Sequence, residues 1–537
     1  MPGVLSSAGV LSDQSRELLN IKTGAAQPLR VRKGYIMENF ISKAKYQAKK
    51  IYAIDPPATY GENVLLGSLQ GLAANLSDTQ IMVKTGAYFA YEGILRDKYS
   101  CEICDAEDVF SLLGEFGAVK KYILITDDPE AECAYVAISL AGIMNALVVT
   151  ESAEKRVKKE GFRLLLDARG LDDEWLRSSY YFGKLNKKIA VEQPAKSAPK
   201  LVDYAVMSNA YFAYLPTTDR EAHTKKFTFL DSGAVVYGWN SVLGEYDSVH
   251  SFSSLDVCLV PADHAYNLST LSGFSTDNRF ETAKVTPESG GRHSVCLVMS
   301  DGDNLQWLLN AYATSLKWYG SEERGKYPLA WGLPATCADV ASPMLDYMKD
   351  NATENDEFIM QLSGVGYCFP SDFSDAGRQR MAESFAEKMK IMGVRYAEIL
   401  DDKAFNAETL SPFTSQEGID GLFYIDYWNY AGMKGQILWC DGKPAVSARY
   451  RLWAGLEDGQ IDAIASAING APTDPGDPDA YSFIIIHCWS GLDRKGNLVP
   501  DGNTMDAVSA LVSKLGENVE VVNPSAFMER IVKNLKR

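Results

Sequence analysis

The feature that most constrains this fold is a regular alternation of apolar runs and helical patterns from His293 onward. Short apolar runs bounded by turn residues indicate strands buried on both faces, and helical patterns between them indicate parallel connections. Eight strand candidates follow one another at residues 294–300, 329–333, 358–363, 396–400, 421–426, 436–439, 483–487 and 519–522. Eight strand–helix repeats predict a TIM-like (β/α) barrel, with a doubly wound parallel sheet as the alternative.

The helical patterns between these strands support the same interpretation. They span residues 304–318, 375–392, 460–468 and 504–515. After the last strand, Asn523 suits a helix N-cap and Pro524 suits the first helical position. A final helix should therefore run from there to about Leu535.

Before His293 the strand–helix alternation is present but less regular. Strand candidates lie at residues 50–54, 79–84, 122–126, 146–150, 163–167, 228–230, 234–237 and 257–260. The polar, proline-containing segment 192–200 indicates a linker, and T-P-E-S-G-G at 286–291 indicates the clearest boundary. We therefore predict an α/β protein with four parts: an N-terminal arm (1–45), one or more N-terminal α/β subdomains (46–200), a small α/β subdomain (201–287) and a C-terminal β/α-barrel domain that carries catalysis (288–537).

Composition and charge disfavour several classes of partner. Apolar residues make up 46% of the chain and charged residues 23%, as in ordinary soluble globular proteins. The formal charge of −17 disfavours binding to nucleic-acid phosphates and to anionic membranes. Residues 1–14 lack the basic and apolar regions of a signal peptide. We therefore expect a cytoplasmic protein, or a secreted one if a leader has been removed.

The cysteines and the most apolar stretch indicate structure rather than special chemistry. Among the nine cysteines, Cys101 and Cys104 form a C-x-x-C pair with no second pair to complete a zinc site. No metal and no cofactor is expected. Residues 133–150 include Ser139, Gly142 and Asn145, so we interpret them as a buried helix that leads into a strand, not as a transmembrane span.

Polar and aromatic side chains gather where the predicted barrel strands end. Because the active sites of barrel enzymes lie at the carboxyl ends of the strands, these side chains are candidates for a site. They are Asp301, Asp303 and Asn304 after the first strand, Gly364, Gly366 and Tyr367 after the third, Asp401 and Asp402 after the fourth, Asp426, Tyr427 and Trp428 after the fifth, and His487 and Trp489 after the seventh.

Each of these features also has a purely structural interpretation. The segment Asp301-Gly302-Asp303-Asn304 can be a helix N-cap, whereas a calcium loop is disfavoured because Leu305 follows where further oxygen ligands are needed. The two glycines can serve a turn, or they can let a ligand approach the backbone. His487, at the end of an apolar strand, can be a buried histidine with satisfied hydrogen bonds.

The same residues have the chemistry that a carbohydrate site needs. Aromatic rings offer flat surfaces to sugars, and amides and carboxylates bind sugar hydroxyls. Glycoside hydrolysis needs one protonated acid and one carboxylate that acts as base or nucleophile. Aspartates that can fill both roles are Asp301, Asp303, Asp401, Asp402 and Asp426.

One segment carries a resemblance to a known family. G-V-G-Y-C-F-P at residues 364–370 resembles the motif of the GxGYxYP family, whose members are described as glycoside hydrolases. Phe369 replaces the second tyrosine of the motif, so one hydroxyl is lost. Segments 300–304, 443–453 and 487–490 fit the same family, with weaker similarity at 69–75. The resemblance implies small N-terminal α/β subdomains before a C-terminal β/α barrel, and hydrolysis of glycosidic bonds.

We therefore predict a glycoside hydrolase that acts on a poly- or oligosaccharide. Asp301 or Asp303 should pair with Asp426, because Glu398 lies inside the predicted fourth strand and no glutamate follows the seventh. Tyr367, Asn304 and His487 should orient the sugar. The further expected contacts with the sugar are Gly364, Gly366, Asp401, Tyr427, Trp428 and Trp489.

Two other functions stay open at this point. A non-catalytic carbohydrate-binding protein needs the same aromatic and polar surface. A metal-dependent hydrolase resembling polysaccharide deacetylases needs paired histidines, and the five histidines of the chain are scattered. The identity of the sugar, the linkage, the stereochemical course, the choice of acid and base, and the oligomeric state are not determined by the sequence.

Overall fold

The structure is a computed structural model that describes residues 42–275, 279–280, 290–402, 404–491, 499 and 502–535. These residues belong to one compact unit, Asn39–Arg537. Most of the predicted N-terminal arm, residues 1–14 included, and most of the predicted boundary at 286–291 lie outside the described residues.

Small parallel sheets precede a larger one along the described chain. Their strand orders are β2-β1-β3, β5-β4-β6 and β10-β9-β7-β8. The strands are β1 (Lys50–Ile54), β2 (Thr79–Val83), β3 (Glu102–Ala106), β4 (Lys121–Ile125), β5 (Leu147–Thr150), β6 (Arg163–Asp167), β7 (Asn186–Glu192), β8 (Ala210–Ala213), β9 (Val235–Gly238) and β10 (Cys258–Pro261). Their pairing is parallel, as the strand–helix alternation predicts.

Helices connect these strands and cover their faces. In this half of the chain they are α1 (Tyr60–Leu76), α2 (Tyr88–Asp97), α3 (Val109–Leu112), α4 (Glu132–Met144), α5 (Glu151–Lys159), α6 (Asp173–Ser178), α7 (Val202–Ser208), α8 (Arg220–Phe227), α9 (Glu245–Ser253) and α10 (Leu268–Leu271). Helix α4 is largely buried and leads into β5, as predicted for the most apolar stretch. No helix within the described ranges is both long and apolar enough to cross a membrane.

Two local predictions in this half are wrong. Residues 228–230 form no strand, because α8 continues to Phe227 and a turn follows it. The alternation of threonine and phenylalanine there imitates a strand. Segment 192–200 does not form the polar linker that its composition predicts, because Glu192 ends β7 and both Glu192 and Gln193 are buried. Strand β3 was not predicted, since its mixed sequence E-I-C-D-A contains no apolar run.

The C-terminal half contains a larger, curled sheet. Its strand order is β16-β17-β15-β14-β13-β12-β11-β19-β18, with β20 pairing with β11. The strands are β11 (His293–Met299), β12 (Leu329–Pro334), β13 (Asp356–Gln361), β14 (Tyr396–Asp401), β15 (Gly421–Asp426), β16 (Ile437–Cys440), β17 (Lys443–Ser447), β18 (Tyr450–Leu452), β19 (Tyr481–Ile486) and β20 (Val519–Val522). The protein is therefore a mixed α/β fold with parallel sheets, one of them strongly curled.

Helices alternate with the strands of the curled sheet. They are α11 (Leu305–Trp307), α12 (Cys337–Val340), α13 (Ser342–Asp350), α14 (Asp375–Met392), α15 (Ala407–Thr414), α16 (Ile461–Asn469), α17 (Thr504–Ser513) and α18 (Pro524–Leu535). Helices α14 and α18 have the predicted bounds. Ser374 caps α14 through a hydrogen bond to the Gly377 amide, and Gly393 ends it in a left-handed conformation.

The predicted eight-strand TIM-like barrel is not confirmed in that form. The sixth predicted strand, 436–439, corresponds to β16, which forms an antiparallel hairpin with β17 and so is not one of eight parallel repeats. Strands β17 and β18 were not predicted. Only Ala448 and Arg449 separate these two strands, so β17 and β18 form one nearly continuous extended segment. β17 pairs with β15, while β18 pairs with β19.

Candidate active site

A cavity of about 120 Å³ lies where β11, β14 and β15 end and where the preceding α/β part of the chain meets the curled sheet. Carboxyl groups and aromatic rings converge on it. Its lining consists of Trp239, Glu245, Pro261, Ser300, Asp301, Asp303, Asn304, Leu362, Tyr367, Glu398, Leu400, Ile425 and Tyr430. Four of these side chains are carboxylic acids. Placing four carboxyl groups around so small a volume costs folding free energy, and such clusters are typical of functional sites.

A larger cavity of about 520 Å³ lies elsewhere, beside β16 and the end of α18. Lys434, Trp439 and Asn534 are among its lining residues. Its one acid, Asp479, forms an ion pair with Arg449 at 2.9 Å. The larger cavity therefore lacks the pair of free carboxyl groups that acid–base chemistry requires.

Asp301 occupies the turn that follows β11. Its φ of +61° lies in the left-handed region, which aspartate tolerates better than most residues. The indole Nε1 of Trp489 donates to its Oδ1 at 2.9 Å, and the hydroxyl of Ser300 donates to its Oδ2. The side chain is half-buried. Two donors thus fix a carboxylate that still reaches the cavity.

Asp303 lies two residues further on and is only 3% exposed. Burial, together with the charge of Asp301, raises its pKa well above the ordinary range of an aspartate. Gly302 between them fits tightly, because a Cβ there would lie 2.4 Å from the backbone of Gly332. The Gly302 amide also donates to Oε1 of Gln361 at 2.8 Å. The loop that presents both aspartates is therefore held rigidly.

Glu398 points from β14 towards the same cavity and has no solvent exposure. Among the described residues, neither of its carboxyl oxygens has a hydrogen-bond partner of ordinary geometry, although the side chain of Gln361 is near enough to favour the ionised form. Burial outweighs Gln361 and, with the charges of Asp303 and Asp301, raises the pKa of Glu398 well above the ordinary range. Its place inside a predicted strand argues against a catalytic role when the sequence is considered alone. A single acid within the apolar run Y-A-E-I-L was the signal that a buried carboxyl group is present.

Glu245 reaches the cavity from the preceding α/β part, as the first residue of α9. The residue as a whole is exposed, while its Oε1 accepts a hydrogen bond of 2.8 Å from the Tyr367 hydroxyl. Surrounding protein atoms and the charge of Asp301 raise its pKa above the ordinary value, and the bond from Tyr367 opposes that rise. Sequence reasoning missed Glu245 because it lies in no motif and meets Asp301 only through the tertiary fold.

Tyr367 of the family-like motif joins the two parts of the molecule. Its main-chain amide donates to the Leu259 carbonyl at 2.6 Å, and the Leu259 amide donates to the Tyr367 carbonyl at 3.0 Å. The motif is thereby added to β10 as an antiparallel bridge. A Cβ on Gly366 would lie 2.8 Å from the Leu259 carbonyl oxygen, and one on Gly364 would lie 2.6 Å from Sδ of Met381. Both glycines therefore permit close packing within the protein.

The other rim aspartates hold loops. Asp401 is buried and accepts hydrogen bonds from the amide and hydroxyl of Ser371 at 2.8 and 2.5 Å. Burial raises the pKa of Asp401 to about 6. Asp402 accepts a bond of 2.9 Å from the Tyr246 hydroxyl. Oδ1 of Asp426 accepts the amides of the second and third residues after it, each at 3.2 Å. None of these three lines the cavity described above.

Two exposed tryptophans lie next to residues of the cavity or of its neighbouring loops. Trp489 is 51% exposed and packs on Trp307, while Trp428 is 59% exposed and packs on Tyr427. His487 lies outside the lining and stacks on Trp453, with ring centroids 3.8 Å apart and an interplanar angle of 3°. Burial lowers the pKa of His487 below its ordinary value, which the charge of Asp301 opposes. The structure thus places exposed tryptophans beside Asp301 and beside Asp426.

The described residues contain no group of three or more histidine, cysteine, aspartate or glutamate side chains arranged to hold a metal ion. All nine cysteines are free thiols, including Cys101 and Cys104.

Three domain models of one family match this chain. The GxGYxYP putative glycoside hydrolase C-terminal domain matches residues 291–532, the GxGYxYP third domain matches 186–273, and the GxGYxYP_N second domain matches 119–185. Glu245 therefore falls in the third domain, whereas Asp301, Asp303 and Glu398 fall in the C-terminal domain. No curated protein matches the chain.

Two solved structures are similar to the chain to very different degrees. A crystal structure described as a putative hydrolase from Bacteroides thetaiotaomicron VPI-5482 is 28% identical, with a TM-score of 0.84 over 93% of this chain and 98% of its own. 4-alpha-glucanotransferase from Thermococcus litoralis is 11% identical, with a TM-score of 0.31 over 44% of this chain and 40% of its own, which is too low to support a conclusion. Because the three domain models extend from residue 119 to residue 532, the chain belongs to the GxGYxYP family.

Proposed function

We propose that the protein is a glycoside hydrolase that cleaves a poly- or oligosaccharide in the cavity between the curled sheet and the preceding α/β part. The observation that carries this proposal is the convergence of Asp301, Asp303, Glu398 and Glu245 on one small volume. Hydrolysis of a glycosidic bond needs one ionised and one protonated carboxyl group. The description of the family and that of the similar bacterial hydrolase agree with this reaction class.

Asp301 is assigned the role of the carboxyl group that acts as base or nucleophile. It is half-buried and so within reach of a substrate, and its two side-chain donors fix its orientation. The proton comes from one of the other three acids, whose pKa values are all raised. Raised pKa values keep a carboxylic acid protonated near neutral pH, which is the state a general acid needs. Asp303, beside Asp301, belongs to this catalytic group, whereas Asp426 does not, because it caps its own loop.

The sugar would be held by residues around the mouth. Trp489 and Trp428 offer large apolar surfaces that are unusually exposed for tryptophan. Asn304, Tyr367 and Tyr430 supply polar groups and ring edges in the wall. Gly364, Gly366, Asp401, Tyr427 and His487 shape the loops that carry these contacts.

The proposal includes the barrel architecture implied by the resemblance. The segment formed by β17 and β18 has β15 on one side and β19 on the other. The amide of Ala448 donates to the Tyr424 carbonyl and that of Arg449 to the Phe483 carbonyl, each at 2.9 Å. One chain segment that bonds to both edges of a curled sheet would close it into a barrel. A crystal structure in which β15 and β19 are not bridged by this segment would exclude closure.

The function is tested with a panel of oligo- and polysaccharides. Wild type should release reducing sugar from at least one of them, and Asp301→Asn should lose that activity while still binding the sugar. A non-catalytic carbohydrate-binding protein predicts binding without turnover across the panel. A metal-dependent hydrolase predicts loss of activity with a chelator, with recovery when metal is restored.

A further inference from the structure

We infer that Glu245, a residue of the third domain, is the proton donor of the reaction, so that two domains share one active site. This inference rests on the proposed function and names the acid that the proposed function leaves open. It requires three things of Glu245: access to the substrate, a fixed position, and a protonated state at working pH.

Glu245 is more accessible to a substrate than Asp303 and Glu398, the two buried acids of the cavity. Asp303 is 3% exposed and Glu398 has no exposure, whereas Glu245 is an exposed residue whose carboxyl group lines the cavity. A general acid must come within hydrogen-bond reach of the leaving oxygen. The two buried acids are therefore better suited to shaping the field around Asp301 than to touching a sugar.

The position of Glu245 is fixed from both domains. Within its own domain it begins α9, directly after Gly244, and Asn240 holds the turn before it by accepting the Leu243 amide at 3.1 Å. From the C-terminal domain, the Tyr367 hydroxyl donates to Oε1 at 2.8 Å. Tyr367 is itself held on β10 by its two main-chain bonds to Leu259. Oε1 is thus engaged, which leaves Oε2 to carry the proton.

The charges around Glu245 favour its protonated form. The groups that face it are Asp301, Asp303, Tyr367, Tyr427 and Tyr430. Burial of its carboxyl group raises the pKa of Glu245 most, and the charge of Asp301 raises it further. Burial also raises the pKa of Tyr367 well above its usual range, so its hydroxyl remains a donor. Glu245 thus combines a proton to give with a neighbouring carboxyl group, that of Asp301, whose charge raises its pKa.

The proton on Oε2 of Glu245 passes to the glycosidic oxygen as the bond between that oxygen and the anomeric carbon breaks. Asp301 assists the attack of water on the anomeric carbon, either by taking one proton of the water or by first bonding to the carbon, in which case the water displaces Asp301 and breaks that bond. The water oxygen becomes the hydroxyl of the new reducing end and keeps one of its two protons. The other proton returns to Glu245, directly when Asp301 has bonded to the carbon, or from Asp301 through solvent when Asp301 has taken it.

The leaving group tests the inference. Glu245→Gln should lower kcat for phenyl glycosides by about 10³-fold, but by less than about tenfold for 2,4-dinitrophenyl glycosides of the same sugar, since that leaving group departs without a proton. Glu221→Gln is the matched control, because Glu221 also lies in the first turn of a helix of this domain and is exposed. It should behave as wild type with both leaving groups.

The pH profile is a second readout that a merely structural role would not move. A general acid works below its pKa, so activity should fall as pH rises through the pKa of Glu245. Tyr367→Phe removes a bond that favours the ionised form, so the alkaline limb should move to higher pH. In Glu245→Gln that limb should be absent.

The outcomes separate the two proposals. If Asp301→Asn is inactive and Glu245→Gln equals wild type with both leaving groups, the proton-donor role is overturned and glycoside hydrolysis stands. If wild type hydrolyses no glycoside of the panel, hydrolysis is overturned and the proton-donor role falls with it. Both proposals are supported if Glu245→Gln loses kcat with phenyl glycosides but not with 2,4-dinitrophenyl glycosides, while Glu221→Gln keeps the wild-type kcat with both.

Discussion

Two sets of aspartates follow strands of the same curled sheet, and they serve different ends. Asp301 and Asp303 line the cavity, whereas Asp401 and Asp426 accept hydrogen bonds from loop amides. Asp301 is instead approached by an indole N–H and a hydroxyl, and part of it stays exposed. A strand-end position therefore does not by itself bring an aspartate into the cavity. In the proposed reaction, the aspartates of the cavity wall act on the substrate, and those bonded to loop amides hold the loops.

The largest effect that sharpens this comparison is expected at Asp301. Asp301→Asn keeps the size and an acceptor for Trp489 but removes the charge, so kcat/KM should fall by about 10³- to 10⁵-fold. The melting temperature should stay close to that of wild type, because the residue is half-exposed. Steady-state kinetics and thermal melts measure both. Equal losses of activity in Asp301→Asn and Asp426→Asn would erase the distinction between the two sets.

A pH-dependent effect is expected at Asp401. Burial raises its pKa in the folded protein to about 6, above the value of about 3.9 in the unfolded chain. Between these values the folded state binds more protons, so the contribution of Asp401 to stability is complete below about pH 4 and declines as pH rises through about 6. Across this pH window, the free energy of unfolding of the wild type should therefore fall by up to about 2 kcal/mol relative to that of Asp401→Asn. Urea unfolding of both proteins at pH 4 and pH 7 measures it, and a constant difference would contradict the assignment.

A smaller effect on stability is expected at Asp426. Asp426→Ala removes the acceptor of two loop amides, which should lower the free energy of unfolding by about 1 kcal/mol. Turnover should fall by less than tenfold, because the carboxylate lies outside the cavity. Urea unfolding and kinetics of the same preparation separate the two effects. A large loss of kcat with unchanged stability would place Asp426 among the catalytic residues.

The smallest effect is expected at the exposed tryptophans. Trp428→Ala removes a surface that is 59% exposed, so KM should rise by about fivefold, equivalent to about 1 kcal/mol, with little change in kcat. Trp489→Phe keeps a ring but loses the N–H that orients Asp301, so kcat should fall as well. Kinetics on the same saccharide tests this contrast, and identical effects of the two substitutions would refute it.

Much of the fold was predictable because it depends on local periodicity. The bounds of β15 and α14 agree with the apolar run at 421–426 and with the helical pattern at 375–392. Strands β17 and β18 escaped prediction because Pro444 and the interruption at Ala448 and Arg449 break the apolar run. Their place between β15 and β19 is set by pairing over long sequence distances, which no local pattern encodes.

The site was predictable only in part, for a similar reason. Asp301, Asp303 and Tyr367 stand out at strand ends and do line the cavity. Glu398 carried a weak signal as a lone acid in an apolar strand. No feature of the sequence points to Glu245, because its proximity to Asp301 depends on the pairing of the Tyr367 motif with β10. Contacts between domains, unlike strand ends, leave no trace in the spacing of one sequence.

The most direct test of the account is a crystal structure of Asp301→Asn with a bound oligosaccharide. We expect the scissile glycosidic oxygen within about 3.2 Å of the Glu245 carboxyl group, with residue 301 on the side of the anomeric carbon. A separation of about 5–5.5 Å between the Glu245 carboxyl group and the side-chain amide of residue 301 would indicate a retaining enzyme, and about 6.5–9.5 Å an inverting one. A saccharide bound with the side chains of both residues directed away from its glycosidic oxygens would contradict the account.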